Sequence, residues 1–138
     1  YLTPEKLEEL VKERFARYEQ VKANEQMAEE YLTEDADIVL VAYGASSRVA
    51  RSAVNKAREK GIKAGLVRPI TLWPFPTQAL NRAASHAKNF LVVEMSMGQM
   101  VDDVKLAIDC KVPVHFYGRT GGMIPTPAEV LEQIEALL

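Results

Sequence analysis

The chain has 138 residues, with 17 lysines and arginines against 19 aspartates and glutamates and a formal net charge of −2; its cations are scattered and leave no basic field for nucleic acid. Hydrophobic residues make up 48% and charged residues 26%, ordinary proportions for a globular chain, and the length fits one domain with a sizeable core. No apolar run nears the roughly 20 residues that span a membrane, and no signal-peptide pattern is present at the start.

The first residue is Tyr1 rather than Met, and Leu2-Thr3-Pro4 reads as a linker entering a helix; the expectation is a piece of a longer protein. Residues 4–32 carry an apolar stripe of Leu7, Val11, Phe15, Tyr18, Val21 and Ala28, interrupted by Glu25. Steps of three and four predict one helix face, with Thr3 as the cap and Pro4 at the first helical position. A long helix with so thin a stripe is expected to lie across the domain or to dock on a neighbour. Residues 1–35 are therefore read as a connector helix and residues 36–138 as the domain proper.

From Ala36 the period changes. Ala36-Asp37-Ile38-Val39-Leu40-Val41-Ala42-Tyr43 is almost continuously apolar and stops at Gly44, as expected of a strand covered on both faces. Residues 46–60 follow as a helix with Val49, Ala50, Ala53, Val54 and Ala57 inward, closed by Gly61 as a left-handed cap. Residues 62–67 predict a second strand, 77–88 a helix, 90–93 a third strand, 99–110 a helix and 113–117 a fourth strand. Thr126-Pro127-Ala128-Glu129 has the form of a capping box and opens the last helix. The rhythm is a helix followed by four strand–helix units, which short right-handed connections turn into a three-layer α/β/α fold. Its mainly parallel sheet of four strands is expected in the order 2-1-3-4, with the switch point between the first and third strands.

Ligands of such sheets gather at the strand-to-helix turns. The turn Gly44-Ala45-Ser46-Ser47-Arg48 offers helix-start amides, two hydroxyls and a guanidinium to a phosphate or carboxylate. Equally, Ser46 caps the helix, Gly44 turns the chain and Arg48 is solvated. The glycine pattern of a nucleophile elbow is incomplete here. His86, expected mid-helix, and His115, within a strand, are not placed as catalytic bases or as a metal pair. No phosphate-cradling motif follows the first strand, and that strand's end lacks the carboxylates a magnesium site needs. Glu94, at the end of the third strand, is expected to pair with Arg48, cap the next helix or face another subunit. Met95, Met97 and Met100 around it suit a contact surface or a core. In Tyr117-Gly118-Arg119-Thr120-Gly121-Gly122 a shaped turn presents Arg119, a forked donor for an anion. Trp73 and Phe75, stiffened by Pro74 and Pro76, read as interface anchors or as a packing corner. Cys110 is the one cysteine; it is expected to be a buried thiol, too few for an iron–sulfur cluster, which takes about four. A cytoplasmic, reducing setting is the expectation.

Two motifs, Arg68-Pro69-Ile70-Thr71-Leu72-Trp73-Pro74-Phe75-Pro76 and Val93-Glu94-Met95-Ser96-Met97-Gly98-Gln99-Met100, together with residues 38–46 and 114–127, resemble the second domain of the alpha subunit of 2-oxoacid:ferredoxin oxidoreductases. That domain is similar to the transketolase C-terminal domain. The resemblance covers roughly residues 36–138 and extends less specifically to the connector helix. It implies an enzyme that decarboxylates a 2-oxoacid on thiamine pyrophosphate and magnesium. Electrons pass through iron–sulfur clusters to ferredoxin, and the acyl group goes to coenzyme A. It also implies beta, and in some members gamma and delta, subunits as partners. In such enzymes the cofactors sit in other domains, so no catalytic or cofactor residue is expected in this chain. Its implied role is assembly, with Trp73, Phe75, Glu94, Met95, Met97 and Gln99 as interface candidates. The Arg68 motif leans towards the 2-oxoglutarate or branched-chain (2-oxoisovalerate) group. The competing reading is a stand-alone anion- or nucleotide-binding α/β module, with Gly44, Ser46, Ser47, Arg48 and Arg119 as its site.

Overall fold

Ile38-Val39-Leu40-Val41 contains no polar side chain, and all four residues are completely buried. A strand with both faces in the core needs a layer of helices on each side, and the computed structural model, which describes residues 3–138, supplies them. In chain order the elements are α1 (Pro4–Asn24), β1 (Ala28–Tyr31), β2 (Ile38–Val41), α2 (Gly44–Glu59), β3 (Ala64–Pro69), α3 (Thr77–Ala84), β4 (Asn89–Glu94), α4 (Met100–Ala107), β5 (Val114–Gly118) and α5 (Pro127–Ala136). Tyr1 and Leu2, the second of them read as the start of a linker, lie outside the described residues.

The sheet runs β1-β3-β2-β4-β5. β2 pairs in parallel with β3 and β4, and β4 with β5, so the parallel part has the expected 2-1-3-4 order. Successive residues of the central strands alternate between two cores. Val39, Val41, Val67, Phe90 and Val92 face Leu80 of α3 and Val104 of α4. Ile38, Leu40, Leu66, Leu91 and Val93 face Val54 of α2 with Val130 and Ile134 of α5. Gly65 lets the β1–β2 connection cross close to β3, because a Cβ there would stand 2.5 Å from the Leu32 carbonyl oxygen.

Several expectations need correction. The first helix does not run to residue 32. It ends at Asn24, and Ala28–Tyr31 forms a fifth strand, antiparallel to β3. Glu29 and Glu30 are ion-pair partners on the sheet edge: Glu29 takes Arg51 and Arg68, both at 2.8 Å, and Glu30 takes Arg82 at 2.9 Å. The helix after β4 ends at Ala107 rather than Cys110, because Asp109 and Cys110 adopt left-handed backbone. Ile108 then occupies the core and Cys110 is exposed, not buried. α3 ends at Ala84, so His86 lies beyond the helix, its Nε2 2.7 Å from the Thr33 carbonyl. The connector also stands apart: α1 has no buried residue, and Leu7, Val11, Phe15 and Tyr18 of its stripe are exposed. Pro4 opens it as expected, but the Thr3 side chain makes no capping hydrogen bond. Its C-terminal end is tied down by Gln78, which donates to the Ala23 carbonyl at 3.3 Å, and by Gln26, whose Oε1 accepts the Gln78 amide at 3.0 Å. Among the described residues no helix is long and apolar enough to cross a membrane.

Candidate functional site

β4 delivers Glu94 to the switch point, where it is 5% exposed. Its carboxylate turns under the following loop and accepts the backbone N–H groups of Gln99, Met100 and Val101 at 2.9–3.2 Å. The Ser96 hydroxyl donates a further bond at 3.3 Å. These amides open α4, whose cap position, Gln99, supplies no side-chain bond of its own. A buried carboxylate there replaces the missing cap and lies on the positive end of the helix dipole. Of the three roles open to Glu94, capping is the one the structure shows, and Arg48 is not its partner. The loop is pinned from the other side too. Arg119 N donates to the Glu94 carbonyl at 3.2 Å, and Gly118 lies so close to the Ser96 carbonyl and the Phe116 ring that a Cβ would overlap both. On this rigid support Met100 points into the core, whereas Met95 is exposed and Met97 is 85% exposed.

Across the switch point α2 starts at Gly44, which takes a positive φ of 59°. No side chain caps α2. Ser46 therefore does not serve as the cap, and the Ser47 hydroxyl donates back to the Gly44 carbonyl at 2.6 Å. Both serines are buried. Two hollows flank this helix start. One of about 200 Å³ is lined by Gly44, Ser46, Glu94, Met95, Ser96 and Gln99. The other is lined by Ser47 and Arg48 with Glu29, Arg51 and Arg68. The Arg68 hydrogen bond, aided by Arg51, holds Glu29 below its ordinary value of 4.5. Arg51 also stacks over the Tyr31 ring at 4.1 Å. The turn after β5 lies at the same sheet edge, but Arg119 directs its guanidinium to Glu129 at 2.7 Å. Glu129 is the acid of the capping box, and the Thr126 amide is the first cause holding it below its ordinary value. The five candidate anion residues are thus divided among two hollows and an ion pair. Sequence reasoning missed the Glu29 cluster, and the one signal for it was a pair of acids beside an apolar Ala28 and Tyr31.

The loop after β3 packs at one end and is open at the other. Pro74 and Pro76 are buried and Phe75 packs partly against the core. Trp73 is 55% exposed and stands edge-on to Tyr18 of α1, with ring centroids 5.3 Å apart.

Residues 36–130, which include the hollow of about 200 Å³ and the Glu94 loop, match the family described as pyruvate:ferredoxin oxidoreductase core domain II. The chain belongs to that family. As a core domain II it is 49% identical over 121 residues to the ketoisovalerate oxidoreductase subunit VorB of Methanothermobacter marburgensis, covering 88% of the chain and 34% of that relative. It spans about a third of the length of the curated relatives it matches. Among solved structures, a 2-oxoglutarate:ferredoxin oxidoreductase from Magnetococcus marinus with 2-oxoglutarate, coenzyme A and succinyl-CoA bound shares the fold. The TM-score is 0.79 at 20% identity, over 99% of this chain and 24% of that one. A split-gene transketolase, an inactive beta4 tetramer, also shares it, with a TM-score of 0.67 at 20% identity over 80% of this chain and 40% of that one. The three-layer, mainly parallel α/β fold of this domain is therefore transketolase-like.

Proposed function

We propose that this domain is a non-catalytic part of an alpha-type subunit of a 2-oxoacid:ferredoxin oxidoreductase, where it sets the cofactor-bearing domains in place and lines a subunit interface. In this reading the whole enzyme converts a 2-oxoacid to its acyl-CoA in the cytoplasm and passes electrons to ferredoxin. Beta and, in some assemblies, gamma and delta subunits complete it. Thiamine pyrophosphate, magnesium, iron–sulfur clusters and coenzyme A belong to that whole. The residues here do not fit the metal centres: a cluster takes about four thiolates and this chain has Cys110 alone. Among the described residues no group of three potential ligands converges.

The observation that carries the reading is Glu94. It is the buried carboxylate at the switch point, where a ligand-binding domain of this fold presents its chemistry. Its oxygens are filled by the amides of its own loop, and that loop displays Met95 and Met97 outward. The Arg68–Pro76 motif and the likeness to a ketoisovalerate oxidoreductase subunit favour the branched-chain or 2-oxoglutarate group. The test is turnover of 2-oxoisovalerate and 2-oxoglutarate by the purified chain with thiamine pyrophosphate, magnesium, coenzyme A and a viologen acceptor. No turnover is expected; turnover that survives repurification overturns the reading.

A second reading, a stand-alone anion-binding module, is favoured by Arg48 beside the uncapped start of α2. Calorimetric titration with inorganic phosphate decides it. Saturable binding that Arg48→Gln abolishes supports that module, and no binding removes it.

A further inference from the structure

The geometry points to a second copy of this chain as the occupant of the exposed face of α1, in an antiparallel helix pair. This goes beyond the oxidoreductase reading and does not rest on it. α1 is 21 residues long, about 31 Å at 1.5 Å per residue. Its apolar residues Leu7, Val11, Phe15 and Tyr18 form one stripe, each between 37% and 56% exposed. The stripe does not stop at the helix. Phe15, Tyr18, Lys22 and Trp73 line one open hollow, and the rings form a row, Phe15 to Tyr18 at 5.7 Å and Tyr18 to Trp73 at 5.3 Å. Contiguous apolar surface of this kind marks a partner site.

Charge says what covers it. Between Glu5 and Glu13 the helix carries Glu5, Glu8, Glu9 and Glu13 against Lys6 and Lys12; between Arg14 and Lys22 it carries Arg14, Arg17 and Lys22 against Glu19. One half is acidic and the other basic. A parallel copy sets like against like, whereas an antiparallel copy sets each acidic half on a basic one. With the two-fold axis at Phe15, that ring meets its own mate and Val11 lies against Tyr18 of the second copy. Leu7 enters the hollow walled by Tyr18 and Trp73, and Glu8 reaches Lys22 across the seam. Residues at positions 8, 15 and 22 fall on the same flank of a helix, which is the condition for such pairs to meet in an antiparallel arrangement.

Sedimentation velocity over a concentration series tests this with the whole chain. The expected result is a reversible dimer that weakens as salt rises. Phe15→Asp should give a monomer with unchanged core stability, since no α1 residue is buried. Glu8→Lys and Lys22→Glu should each weaken the dimer about tenfold, because the symmetric interface contains the pair twice. Together they should restore it to within about twofold. Within one helix the two positions are about 21 Å apart, so rescue reports contact between copies. A monomer at every concentration assigns the stripe to an unlike chain and overturns the proposal. So does a dimer indifferent to Phe15→Asp, or a charge swap that fails to restore it.

Discussion

Glu94 holds three backbone amides in a place from which water is largely excluded, so shortening it strands donors as well as removing bonds. Glu94→Ala is expected to cost about 2–3 kcal/mol in urea unfolding, and Glu94→Gln about half as much, since an amide oxygen still accepts but brings no charge to the helix start. Glu29 provides a pH signature. Its folded pKa is lowered, first by the Arg68 hydrogen bond. Its contribution is therefore present above its ordinary value of 4.5 and is lost as pH falls through the lower folded value. Denaturation midpoints should drop as pH falls from 4.5 through the lower folded value, and Glu29→Gln should flatten the drop. The position of Glu94 at a strand end was legible in the sequence; its role was not, because the direction of the amides at residues 99–101 depends on how the loop folds back. Cys110 went astray for a different reason. Free cysteines are usually buried, but the left-handed turn at Asp109 and Cys110 places Ile108 in the core instead.

Elements were readable where one period ran uninterrupted. The apolar runs of β2, β3 and β4 and the Thr126–Glu129 box marked their own places, and Thr126→Ala should cost about 1 kcal/mol in thermal or urea unfolding through loss of the cap. β1 was hidden because Ala28 continues the stripe of α1 at helical spacing, while the charges that make the strand sociable, Arg51, Arg68 and Arg82, come from later in the chain. Edge strands of four residues carry little periodic signal of their own. The surface loops carry another prediction. Met97 is almost fully exposed, and Trp73 is half-exposed and stands edge-on to Tyr18. Met97→Gln should change stability by less than about 0.5 kcal/mol and Trp73→Ser by about 1 kcal/mol. The same pair of changes should weaken assembly of an intact oxidoreductase, measured by co-purification of its subunits. A loss of folding in the isolated domain would place both residues in the core and refute the interface role.

At the scale of the whole molecule, the layering and the 2-1-3-4 order of the parallel strands followed from continuous hydrophobic runs separated by amphipathic helices, since few arrangements bury both faces of such strands. The extra edge strand and the division of the candidate anion residues did not follow, for both depend on which arginine meets which acid. The detached helix has a kinetic meaning of its own. β2 sits at the centre of the sheet with both faces covered, so its amides exchange with solvent deuterium only when the domain unfolds as a unit. Ahead of its tied last turn, α1 lacks burial and opens by fraying, independently of that event. Hydrogen exchange in dilute solution should therefore resolve two classes of amide, with residues 4–20 labelled long before residues 38–41. Trypsin should cut at Arg14 or Arg17 and leave the five-stranded body whole.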